Sequence, residues 1–107
     1  MSQIFEITKL LETRSRLHRP YHEFLRRPAM SAGVYVLPAG GNDHQQPHRE
    51  DEIYYVVSGS GKMKLGSEEQ PVKQGDLIFV EADAEHHFFD IVQELVLLVV
   101  FAPAETN

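Results

Sequence analysis

Residues 44–52 read HQQPHREDE, and an apolar run, IYYVV, follows at 53–57. Two histidines and three acids fall within nine positions. On a helix, His44 would share a face with His48, and His48 with Glu52. Pro47 opposes a helix, because it disfavours helical geometry at Gln46 and removes a backbone donor. IYYVV, β-branched and aromatic, extends naturally as strand. One straight strand fails for a different reason: four residues span ~13 Å at ~3.3 Å each. Side chains that far apart cannot both sit ~2 Å from one ion. If His48 and Glu52 share an ion, the chain must therefore bend sharply between them. Arg49-Glu50-Asp51 is a suitable corner. His48 would then end one strand, Glu52 would begin the next, and Glu50 and Asp51 would face water.

A third ligand must come from elsewhere. The pair His86-His87 opens an apparent strand just after a polar corner, EADAE at 81–85. In strand register His86, Phe88 and Asp90 share one face, and His87 and Phe89 the other. One of the two histidines points inward, and spacing alone leaves both open. Tyr54 shares parity with Glu52, which would bring its hydroxyl near the same ion.

The flanking sequence is punctuated β. SAGVYVL (31–37), KMKL (62–65), LIFV (77–80) and LVLLVVF (95–101) read as strands, the last as a central one. PAGGND (38–43), GSEEQP (66–71) and KQGD (73–76) read as turns, and SGSG (58–61) as the end of the IYYVV strand. Strands punctuated by Gly and Pro at roughly 8–12-residue spacing predict a sandwich or barrel. Ahead of them, ITKLLETRSRL (7–17) has apolar residues at 7, 10, 11 and 17, a short amphipathic helix that ends before Pro20. YHEFLRR (21–27) suits an edge strand, interrupted by Pro28. Residues 1–30 are thus expected to form a helix and edge-strand extension, and 31–107 the barrel.

The chain has 107 residues, 42% of them hydrophobic, enough for one domain with a modest core. Without cysteine, neither disulfides nor thiolate sites are possible, which leaves histidine, carboxylate and amide groups as ligands. No apolar run reaches the ~18 residues of a membrane span. MSQIFEITKL lacks the basic and apolar regions of a signal peptide, so a cytoplasmic location is expected. The net charge of −6 is uneven: residues 1–33 hold six Lys/Arg and three acids, while residues 34–107 hold four and thirteen. An acidic body argues against nucleic-acid binding. A small core, with an N-terminal segment suited to covering a neighbour's sheet edge, predicts a homodimer.

The sequence resembles the cupins. Their first motif, G-x5-H-x-H-x3–4-E-x6-G, is met by Gly40, His48, Glu52 and Gly59, with Gln46 in place of the first histidine. Their second, G-x5-P-x-G-x2-H-x3-N, is met by Gly75 and His86, while Glu81, Asp83 and Asp90 depart from it. The resemblance covers residues 40–90. It implies an all-β cupin-type double-stranded β-helix (jelly-roll) barrel with a short N-terminal helix. It implies a divalent metal ion (iron, manganese, nickel or zinc) held by His48, Glu52 and His86, and thereby selects His86 over His87, which is left to the outer face. Gln46 would be a weaker fourth ligand or would orient a water, and His44 is the alternative. Two imidazoles and one carboxylate resemble a facial triad with open positions for a ligand. Tyr54, Met63, Phe79 and Phe88 are candidates to line the pocket, with Asp90 deeper in the barrel. The expected function is a small metal-binding cupin that acts on or binds a small organic molecule, by dioxygen-dependent cleavage, isomerisation or decarboxylation. The alternative is a non-catalytic binding or structural module.

Overall fold

In the computed structural model, which describes residues 2–106, the expected helix forms as α1 (Ile7–Leu17). It stops at His18, which turns left-handed at φ 54° and returns its N–H to the Ser15 carbonyl. The strands are β1 (Tyr21–Arg27), β2 (Met30–Leu37), β3 (Asp51–Leu65), β4 (Glu68–Lys73), β5 (Leu77–Val80) and β6 (His86–Ala102). All pairings are antiparallel, in the order β1-β2-β6-β3-β4, with β5 also on β3. LVLLVVF is central, as its composition predicts: it lies between β2 and β3. Helix α1 contacts β1 and β2 and buries Leu10 there.

SGSG does not end a strand. β3 runs through it, and the two strands expected at 86–89 and 95–101 are likewise one. The glycines bend the ladder. The β3–β6 register slips three times between Val56 and Lys62. Gly59 sits at φ 97°, where a Cβ would overlap the Glu94 backbone carbonyl. Opposite, Asp90 of β6 turns to φ 45°. Such bulges kink a ribbon without breaking it.

The kink folds the β3–β6 ribbon on itself. Glu52 pairs with Phe101 near one end, and His86 pairs with Leu65 at the other. A straight ladder would put thirteen residues, about 43 Å, between those ends. Instead the Glu52 and His86 side chains are 3.2 Å apart. The two halves of the ribbon face each other around one core, built from Leu37, Val56, Met63, Val72, Ile78, Phe88, Ile91, Leu95 and Leu97 among others.

Alternation places the inward residues. Along β3, Glu52, Tyr54 and Val56 are buried and their neighbours are not. LIFV alternates too: Ile78 and Val80 point inward, while Phe79 is 60% exposed on the outer face, away from the core. Tyr54, Met63 and Phe88 are interior as expected. Asp90 is not: its left-handed backbone turns it outward, 3.6 Å from Lys62.

Candidate metal centre

One ligand-bearing atom from each of His48, Glu52 and His86 lies within 4.8 Å of the others. Glu52 starts β3, His86 starts β6, and His48 precedes β3 in a stretch without regular structure. The chain does bend at Arg49 and Glu50, although His48 ends no strand. The corner is also less wet than its composition suggests. Asp51 is exposed and accepts from the Ala82 N–H, but Glu50 is only 3% exposed and accepts from the Thr106 hydroxyl at 2.7 Å. A C-terminal residue covers it, which no local pattern around the corner could indicate.

The protonation of His86 follows from its neighbours. Its Nδ1 is 2.9 Å from the Ala84 carbonyl oxygen, which can only accept, so Nδ1 carries a proton. Nε2 therefore faces Glu52 Oε1 across 3.2 Å. The contact is misaligned, and neither Nε2 nor either Glu52 oxygen has a hydrogen bond among the described residues. Glu52 is 2% exposed. A buried carboxylate without partners, against an imidazole lone pair, is strongly unfavourable unless a cation joins them. Without an ion, the cation is a proton. Burial opposes that proton, but the Glu52 and Ala84 contacts and the charges of Glu52 and Asp43 outweigh it, and the His86 pKa is raised. A metal fits equally well. Donors ~2.1 Å from one ion, at tetrahedral to octahedral angles, lie about 3.0–3.4 Å apart, and this pair does.

His48 is held from both sides. Its Nδ1 is 3.3 Å from Glu105 Oε2, and its Nε2 is 3.3 Å from Gln45 Oε1. Carboxylates often grip the far nitrogen of a metal-binding histidine in this way. The amide at the site is thus Gln45, and Gln46 is exposed. The cupin resemblance puts Gln46 in the first histidine's place, but the segment is not a regular strand and Gln45 is the amide it turns toward His48. Gln45 is itself fixed: it accepts from the Tyr54 hydroxyl at 2.7 Å and donates to Asp43 at 2.7 Å. Asp43 also accepts from the Tyr35 hydroxyl at 2.6 Å and the Phe88 N–H at 2.9 Å. Burial, then the Glu52 charge, push the Tyr54 pKa well up, and burial with the Asp43 bond does so for Tyr35. Both phenols stay neutral donors. His44 is exposed, and with His87 it lines an outer groove away from the three ligands.

Beside the cluster lies a cavity of about 190 Å3. Val99 and Phe101 give it an apolar wall, and Tyr21, Tyr35, Tyr54 and Glu105 a polar one. The Tyr21 ring lies over Gly33, where any Cβ would overlap it. Its hydroxyl is buried and has no hydrogen-bond partner among the described residues. Glu105 arrives on a latched C-terminal segment: its N–H donates to Ser31 Oγ at 2.9 Å, and its carbonyl accepts from both Arg26 Nη atoms. Sequence reasoning missed Asp43, Gln45, Tyr21, Tyr35 and Glu105. The tyrosines were findable, since Tyr21 and Tyr35 sit opposite each other in strands the pattern predicts. The tail carried no signal.

A kinked β-barrel with two imidazoles and one carboxylate converging inside defines a class of small barrel with a candidate metal centre. The chain matches the Cupin domain family model over residues 33–101 and belongs to that family. It is 40% identical to the uncharacterized protein SCO3923 of Streptomyces coelicolor over 102 residues, 95% of this chain and 97% of that one. Among solved structures it resembles TT1209 from Thermus thermophilus, with TM-score 0.71 and 25% identity over 96% of this chain and 99% of that one. It also resembles an RmlC-like cupin from Shewanella frigidimarina, with TM-score 0.72 and 20% identity over 78% and 75%.

Proposed function

We propose that this cupin binds a divalent metal through His48, Glu52 and His86, with the Gln45 amide oxygen as a weaker fourth donor, and acts on a small organic molecule in the adjoining cavity. The observation that carries the reading is the Glu52 carboxylate, fully enclosed, with both oxygens unpaired among the described residues and two imidazoles beside it. When bound, the ion supplies Lewis-acid polarisation of a substrate oxygen and, if redox-active, one-electron chemistry with dioxygen. The chain supplies the rest. Val99 and Phe101 exclude water, and Asp43 with Tyr54 holds Gln45 in place.

A non-catalytic binder is the second reading. It is favoured by the commitment of the Tyr35 and Tyr54 hydroxyls to Asp43 and Gln45, which leaves few groups free to move a proton. Metal analysis of purified protein tests the site: one ion per chain, lost in His48→Ala, is expected, and a metal-free wild type that also refuses added ion would overturn it. Oxygen uptake and product analysis with iron(II) and a panel of catechols and enols separate enzyme from binder.

The reading includes a cytoplasmic homodimer. Its support is an outer face where exposed Ile53 and Tyr55 of β3 sit opposite exposed Phe79 and Leu77 of β5. Clustered apolar side chains of this kind favour association. Sizing at micromolar concentration should give a dimer, and a monomer would contradict it.

A further inference from the structure

The cavity's charge sets its ligand class. Among the described residues no lysine or arginine lines it, whereas two carboxylates, Glu52 and Glu105, do. Outside it, the Arg26 guanidinium is spent on the Glu105 carbonyl and on Glu23, 3.5 Å away, while Arg19 and His22 border the neighbouring groove that shares Tyr21 and Glu105. Asp43 stands behind Gln45, and Glu50 lies under Thr106. An ion of charge +2 would be balanced by Glu52 and Glu105 together, leaving no net charge for an anionic ligand to neutralise.

Size narrows the class. The volume, about 190 Å3, is that of roughly six waters at ~30 Å3 each. An apolar cavity of ~150 Å3 holds benzene, so a single ring with one small substituent fills this one.

We propose that the site takes a neutral molecule of single-ring size, and that Glu105, delivered by the C-terminal latch, is the residue that excludes anions. This rests on the cavity described above being the ligand site. Glu105 acts by proximity: its carboxylate sits on the cavity wall, held 3.3 Å from His48 by a segment tied to Ser31, Arg26 and Glu50.

The test uses benzamide and benzoate, nearly equal in shape and differing by one charge, titrated at neutral pH into the full-length protein with and without zinc. Binding is read from NMR shifts of the Tyr21 and Phe101 rings. Glu105→Gln should strengthen benzoate about tenfold, 1.4 kcal/mol, and leave benzamide within about twofold. Glu105→Asp, which keeps the charge, should retain the wild-type discrimination. Equal effects on both probes, or none, would overturn the proposal. So would failure of both probes to bind either protein. Thermal melts check that each variant is folded. Failure of the metal reading is distinguishable, since it shows as absent zinc uptake while the benzamide–benzoate comparison is still read on the metal-free protein.

Discussion

The two halves of the β3–β6 ribbon use the same strands for different purposes. The half around Glu52 and Phe101 is flanked by β2 and β5, and its inner face is chemical: Glu52, Tyr54, Val99 and Phe101 border the cavity. The half around Met63 and Phe88 is flanked by β4, and its inner face is mostly packing: Met63, Val72, Phe88 and Ile91 are buried together. It lends the site one candidate ligand, His86. A single kink lets a packing half carry one reactive group into a site built mainly by the other half. The contact is one that no local motif can make.

The kink is therefore where the comparison breaks most completely. Gly59→Val places a branched side chain at φ 97° against the Glu94 carbonyl. Strain and overlap together should exceed about 4 kcal/mol, and chemical denaturation should find little folded protein. Phe88→Ala attacks only the packing half. Phe88 is buried with its ring 5.0 Å from that of Tyr54, and its loss should destabilise by about 3–5 kcal/mol. At low temperature the protein should still take up one metal, because all three ligands remain. His86→Ala does the opposite: the fold should persist while metal affinity falls at least about a hundredfold, or ~2.7 kcal/mol, as read by competition with a chromophoric chelator.

The smaller contrast between Gln45 and Gln46 shows what the sequence could and could not reveal. The first half of β3 was legible because Glu52, Tyr54 and Val56 obey a simple alternation with one face buried. The LVLLVVF strand was legible from its β-branched, wholly apolar composition. The hinge was not. Glycine and serine mark both turns and bulges, and only the partner strand decides which. The irregular stretch before β3 has no period, so the motif position selects Gln46, whereas the fold presents Gln45. Composition alone assigns Glu50 to water, because its partner, Thr106, lies in a tail with no pattern of its own. Glu105 was invisible for that reason too. Gln45→Ala should weaken metal binding about tenfold, and Gln46→Ala should leave it unchanged.

The smallest expected effect has a definite sign. In the metal-free protein the charged His86 ring is stabilised by the Glu52 carboxylate facing Nε2 and the Ala84 carbonyl at Nδ1, so its folded pKa lies above the unfolded value of about 6.5. Such a group stabilises the fold fully below the unfolded pKa, and the stabilisation disappears as pH rises through the folded pKa. Metal-free protein should therefore melt at a lower temperature as pH climbs through the range just above 6.5, and His86→Ala should flatten that slope. Metal reverses the dependence. Ligation needs Nε2 without its proton, so loading the site should release a proton at pH values below the folded pKa and should weaken as acid is added. Melting curves with and without zinc across this range should diverge as pH rises, because the half of the ribbon that supplies His86 exchanges a proton for an ion while Glu52 remains the partner of both.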